Sequence, residues 1–156
     1  MKDIYQMNGS FEVDATPDVA WAVLTDYASH PKFLGDLKSS VIKERRDNVA
    51  LVAQEATGKV AMFSATVQLQ LQMKETDHHE IAFTDLLKKD FHVFNGAWTM
   101  TAGPKGVRVD YVLRCLPKAK APGFIMGPMM DQSTLRLMTS MRGEIEKRAR
   151  VSLATR

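Results

Sequence analysis

Val67-Gln68-Leu69-Gln70-Leu71-Gln72-Met73 alternates apolar and uncharged polar residues without a break. Successive side chains of a β-strand point to opposite faces, so Val67, Leu69, Leu71 and Met73 share one side and three glutamines the other. A strand with one apolar face must bury it against a second layer. The same period of two extends outward in both directions. Upstream, Val41 and Ile42 sit in a strand closed by Arg45-Arg46-Asp47-Asn48, and Val49 to Ala56 forms the next, with Thr57-Gly58-Lys59 read as its turn. Downstream, Ile81 and Phe83 lie on a fifth strand with Leu86 and Leu87 near its end. His92, Phe94, Gly96, Trp98 and Met100 then share one face of a sixth. Gly103-Pro104-Lys105-Gly106 is a strong hairpin signal, and Val107, Val109, Tyr111, Leu113 and Cys115 alternate with Arg108, Asp110 and Arg114 beyond it. Loops this short imply an antiparallel meander.

The two ends of the chain read differently. Ser10 to Asp14 is a short first strand. Thr16-Pro17-Asp18 then has the chemistry of a helix start: a capping hydroxyl, a proline whose missing N–H costs nothing, and an acid near the dipole's positive end. That helix carries Val19, Ala20, Trp21, Val23 and Leu24 to about Tyr27, and a second short one spans Ser29 to Gly35. Pro117, Pro122 and Pro128 interrupt the pattern after the last strand. From Met129 to about Arg150 no proline occurs, and Met130, Thr134, Leu137, Met141 and Ile145 recur at helical spacing. The expectation is an α+β domain over residues 1–156: a curved antiparallel sheet of six to seven strands wrapped around a long C-terminal helix, with two short N-terminal helices. Only that helix is long enough to cover the sheet. Where a twisted sheet stands away from it, the gap is a pocket.

The composition sets bounds. The chain of 156 residues is 45% hydrophobic and 25% charged, enough for one core. A single cysteine, Cys115, excludes a disulfide framework and a thiolate metal site. Met1 to Ser10 has no apolar stretch of the signal-peptide kind, and nothing approaches ~18 consecutive apolar residues, so the expected location is cytoplasmic. The net charge of +3 is spread over several segments and reads chiefly as solvated faces.

Val13-Asp14-Ala15-Thr16-Pro17-Asp18-Val19-Ala20-Trp21-Ala22-Val23-Leu24-Thr25-Asp26-Tyr27, followed by His30-Pro31-Lys32-Phe33-Leu34, resembles the opening of the polyketide cyclase/dehydrase and coenzyme Q-binding proteins of the START-like superfamily. Phe91 to Met100, with Phe94, Gly96 and Trp98, is similar to the family's F-x-x-F-x-G-x-W strand. The resemblance covers about residues 8 to 150. It implies a helix-grip fold around a hydrophobic cavity, whose members bind lipids, quinones, polyketides or hormones. A few cyclise or dehydrate polyketides, and a related bacterial branch is linked to ribosomes. The matched motif describes fold more than activity, and Trp21, Asp26, Tyr27 and Pro31 read as architecture.

Candidate binding residues follow from the inward parity. Phe63, Val67, Leu69, Leu71, Phe83, Phe94, Trp98, Val109, Tyr111 and Leu113 would line a cavity wall or fill a plain core. From the helix, Met130, Thr134, Leu137 and Met141 would face them. Methionines at 126, 129, 130, 138 and 141 suit either a core or a pocket for variable apolar shapes. His92 and Tyr111 are the polar groups placed by alternation to hydrogen-bond a ligand carbonyl. Phe124, Ile125 and Met126, between glycines and prolines and after Lys118 and Lys120, read as a gate loop able to touch a membrane surface or as a staple beneath the helix.

No metal-ligand cluster, nucleophile elbow or phosphate-binding loop is present in the sequence, so no metal or cofactor is expected. Three functions fit. The first is a monomeric carrier or chaperone of a small hydrophobic ligand such as a quinone or lipid. The second is a cyclase-like enzyme using His92, near Asp85 and Asp90 in sequence, and Tyr111 as acid and base. The third is a module bound to ribosomal RNA or protein through its basic face, which the modest charge makes the weakest.

Overall fold

The alternating stretch lies within β4 (Phe63–Thr76) in a computed structural model of the chain, which describes residues 4–60, 63–119 and 123–154. Around it stand β1 (Tyr5–Val13), β2 (Leu37–Arg46), β3 (Val49–Val60), β5 (Glu80–Asp85), β6 (Phe91–Gly103) and β7 (Gly106–Pro117). They form one antiparallel sheet in the order β1-β7-β6-β5-β4-β3-β2. The expected meander is therefore present from β2 to β7. β1 closes it from the other end of the chain, pairing Tyr5 with Cys115 and Val13 with Val107.

Thr57-Gly58-Lys59 is not a turn. All three residues stay in the β3–β4 ladder, opposite Thr66, Ala65 and Ser64. Gly58 marks a close approach instead: a Cβ there would lie 3.2 Å from Met129 Sδ. β1 also starts earlier than expected, at Tyr5, because β7 supplies partners for it that local sequence cannot reveal.

The first helix, α1 (Pro17–Leu24), begins as the sequence dictates. Thr16 Oγ1 accepts the Val19 N–H at 3.2 Å and Pro17 takes the first position. It stops before Tyr27. A 3-10 turn, Tyr27–Lys32, replaces the helix expected over 29–35; Pro31 within it has no N–H to give to a longer ladder. The residues read as architecture have structural partners. The Tyr27 hydroxyl donates to Glu75 at 2.5 Å, Glu75 also accepts from Arg45, and Trp21 stacks on the His78 ring. Asp26 pairs with Arg148 at 3.0 Å, tying the 3-10 turn to the end of the long helix.

That helix, α2 (Gly123–Ala154), starts six residues before the expected Met129. Its 32 residues span about 48 Å. The segment read as a gate loop is its first two turns. Pro128 is accommodated because the one carbonyl it deprives of a donor belongs to Phe124, which is exposed to water. The backbone of α2 comes close to β1 and β3, on the two flanks of the sheet, and makes no comparable approach to β4, β5, β6 or β7 among the described residues. Glycine permits both close contacts: Gly58 on β3, and Gly9 on β1, where a Cβ would lie 2.6 Å from Met138 Sδ. A curved sheet resting on a helix by its flanks is the helix-grip arrangement, and it leaves the middle strands to be bridged by side chains.

Candidate ligand site

The bridging side chains are aromatic. Phe83 on β5, Phe91, Phe94 and Trp98 on β6 and Tyr111 on β7 form one inward-facing cluster. Ring centroids are 4.5 Å apart for Trp98–Tyr111, 4.9 Å for Phe91–Phe94 and 6.0 Å for the stacked pair Phe83–Tyr111. Gly96 lies at its centre. It pairs with Phe83 and Leu113, and the Phe83 ring closes over the space that a side chain at 96 would occupy. Leu69, Leu71 and Leu113 are buried around the cluster.

From above, Met130 brings its sulfur to 3.9 Å from the Cys115 thiol, and Met138 and Met141 are buried. Burial pushes the Cys115 thiol up to about 12, so it stays protonated and packs as a small apolar group. Thr134 is buried too, and its hydroxyl donates to the Met130 carbonyl at 3.0 Å. The middle of this interior is not sealed: Val67, Phe94, Trp98, Met130 and Leu137 are half-buried while pressed against the buried core. Two depressions formed by described residues lie elsewhere. One of about 260 Å³ is on the outer face of β2–β4, and one of about 360 Å³ lies between the start of α1 and the end of α2.

Tyr111 and Trp98 bring the polar groups of the aromatic cluster, a phenol and an indole N–H. Tyr111 is the more deeply buried of the two. It is 7% exposed, and its phenol makes no hydrogen bond to any described residue. Burial raises its pKa above that of a free phenol, so it is a proton donor throughout the physiological range.

His92 does not join it. A β-bulge between Phe91 and Val93, opposite Pro117 and Leu116, inserts one residue and reverses the parity there. Phe91 takes the inward place and His92 is turned out to solvent. The spacing F-x-x-F itself carried the signal, because two residues three apart share a strand face only across a bulge. Nor do the neighbouring acids form a pair with His92. Asp85 Oδ1 accepts the N–H groups of Gln70 and Leu87 and its Oδ2 that of Lys88, while Asp90 accepts that of Gln68. The side chain of Phe63 lies outside the described residues, as do Lys120 and Pro122. Within the former gate segment, Met126 is buried, Ile125 half-buried and Phe124 exposed.

His30 is the buried histidine. Its Nε2–H donates to the Val23 carbonyl at 2.9 Å, and burial lowers its pKa below 6.5. A base depressed in the folded state contributes stability that is complete above 6.5 and lost as pH falls from there toward the folded value. The melting temperature is expected to drop on acidification below 6.5, with a shallower slope in His30→Asn. Parallel slopes would remove His30 from the acid response.

The sequence matches the model of polyketide cyclase/dehydrase and lipid transport proteins over residues 13–142. No curated protein sequence matches it significantly. Among solved structures, the ZhuI aromatase/cyclase from Streptomyces sp. R1128 superposes with a TM-score of 0.78 at 15% identity, covering 94% of this chain and 96% of that one. A START superfamily protein from Mycobacterium smegmatis gives 0.69 at 14% identity, covering 93% and 97%. A STAR-related lipid transfer protein from Xanthomonas axonopodis gives 0.72 at 13%, covering 90% and 85%. At these identities the superpositions establish a shared fold; the sequence match over residues 13–142 places the chain in the polyketide cyclase/dehydrase and lipid transport family.

Proposed function

We propose that the protein binds and carries a small hydrophobic molecule bearing a carbonyl, such as a quinone, a lipid or a polyketide-like compound, between the aromatic face of the sheet and the methionine face of α2. The observation that carries this reading is the unsealed apolar interior with one unpartnered phenol in it. An aromatic and methionine lining accepts varied apolar shapes, and a donor such as the Tyr111 phenol or the Trp98 indole N–H fixes orientation. Holding is favoured over chemistry because the rings packed on that of Tyr111 are Phe83 and Trp98, neither of them a base. His92 faces solvent, His30 packs against Tyr27 and Phe33 with its Nε2–H on the Val23 carbonyl, and the oxygens of Asp85 are bound to backbone N–H groups. A cyclase-like reaction would need a base beside the ligand, and none of these three is placed to serve.

Trp98 touches the Tyr111 ring, so it reports occupancy; Trp21→Phe leaves it as the sole tryptophan. Native mass spectrometry with organic extraction should find a bound apolar molecule, and re-addition of that molecule should change Trp98 emission. Tyr111→Phe should weaken binding about tenfold, the worth of one hydrogen bond, and leave the melting temperature unchanged because no protein partner is lost. A clean apo mass, with neither emission nor melting altered by quinones, fatty acids or aromatic polyketides, would overturn the reading.

A further inference from the structure

The turn between β4 and β5 reaches α1 through one side chain, His78. Its backbone has a positive φ of 58°, a conformation that histidine tolerates better than most residues. Nδ1 lies 2.6 Å from Asp77 Oδ1, the preceding residue of the same turn. Nε2 lies 2.7 Å from Asp18 Oδ1, in the first turn of α1 and 60 positions earlier in the chain. The ring is stacked on Trp21 of the same helix, with centroids 5.6 Å apart and planes 18° from parallel.

This geometry selects one protonation state. An ionised carboxylate only accepts hydrogen bonds, and a neutral imidazole has a single N–H to donate. A carboxylate at each ring nitrogen is therefore satisfied only by the imidazolium, which also sets a cation against the face of an indole. Asp77 from the turn and Asp18 from α1 are the charged groups that act on the ring, and their hydrogen bonds raise its pKa above 6.5. The Asp18 and Asp77 side chains are 90% and 85% exposed, so the site exchanges protons freely with bulk water.

We propose that His78 is a proton-operated latch: charged, it holds the first turn of α1 to the β4–β5 turn, and neutral, it lets go. When the proton leaves, one ring nitrogen turns a lone pair toward a carboxylate oxygen at hydrogen-bond distance, and that contact has to open. Asp77 is kept beside the ring by the chain itself, so the contact that opens is the one to Asp18, between elements. The sign is opposite to that of His30. A base raised in the folded state contributes stability that is complete below 6.5 and lost as pH rises through the folded value. The two histidines thus tighten the structure from opposite sides of neutrality. α1 packs against α2, β6 and β7, which enclose the aromatic interior. A role for its loosening in cargo exchange rests on the carrier reading; the latch itself does not.

The test is titration of the imidazole resonances of the full chain by NMR, with His78 assigned through His78→Asn, which keeps a residue suited to the left-handed turn and removes the charge. His78 should titrate above 6.5, and Asp18→Asn and Asp77→Asn should each bring its midpoint down. Hydrogen exchange reads the latch itself. Protection of the Ala20 and Trp21 amides of α1, corrected for intrinsic exchange, should fall about threefold between about pH 6 and about pH 9. In His78→Asn it should be low at both. Titration at or below 6.5, a midpoint indifferent to Asp18→Asn, or α1 protection that ignores both pH and His78→Asn would overturn the latch. No ligand is added in these measurements, so their failure leaves the carrier reading untouched; that reading stands or falls on the extraction.

Discussion

Gly96→Ala is expected to lower the unfolding free energy by roughly 3 kcal/mol or more, enough to threaten a marginally stable domain. A Cβ at residue 96 would stand 1.9 Å from the Val112 carbonyl oxygen and 2.8 Å from Phe83 Cζ. The ring can swing, but the carbonyl belongs to the β6–β7 ladder and can move only with the strand. Trimming the ring should therefore fail as a rescue: Gly96→Ala with Phe83→Leu should unfold in less urea than Phe83→Leu alone, by a similar margin. Recovery in the double variant would show that the ring, not the strand, sets the limit. The same glycine lets the Phe83 ring lie flat against the sheet and stack on Tyr111, so its loss should also disturb the ligand face.

Asp85→Ala is expected to cost about 3 kcal/mol or more, an unusual loss for removing one acid from a turn. The side chain is 3% exposed and accepts three backbone N–H groups, from Gln70, Leu87 and Lys88, at 3.0 to 3.1 Å. Alanine would strand all three, and a buried donor without a partner costs about 1–3 kcal/mol. Asp85→Asn should fall between. It keeps one acceptor oxygen for Gln70 and Leu87 but sets an amide NH₂ against the Lys88 N–H. Urea unfolding of the three proteins gives the order directly; an alanine variant within about 0.5 kcal/mol of the parent would show that water replaces the carboxylate.

These two residues differ in how far the sequence announced them. Gly96 stands in the middle of an inward-facing row, where a missing side chain is visible as a gap in the alternation. Asp85 looks like any acid before a turn, because two of its donors are local but the third comes from β4 across the ladder. The same division runs through the molecule. Val67–Met73, the Gly103–Gly106 hairpin and the Thr16-Pro17 helix start are local patterns, and they read correctly. His92 was assigned to the wrong face because a bulge of one residue reverses every parity upstream of it. The first turns of α2 were hidden by Pro128 and by Gly123 and Gly127, residues that end helices unless tertiary contacts hold them, as the burial of Met126 and Met129 does here. Which arginines find a carboxylate was invisible for a related reason. Charge pairing is decided between elements, as with Arg136 and Asp36, which are far apart in the chain.

The pairing of β1 with β7 bears on how the molecule comes into being. Each residue of β1 meets a partner about a hundred positions later in the chain. During synthesis the first strand therefore waits, unpaired, while the hairpins β2 to β7 assemble from neighbouring segments, and contacts at such separation are slow to close. α2 comes later still and lies against both β1 and β3. The two flanks that hold the helix are thus the last and the earlier-made parts of the sheet, so the space between them takes shape only at the final step of folding.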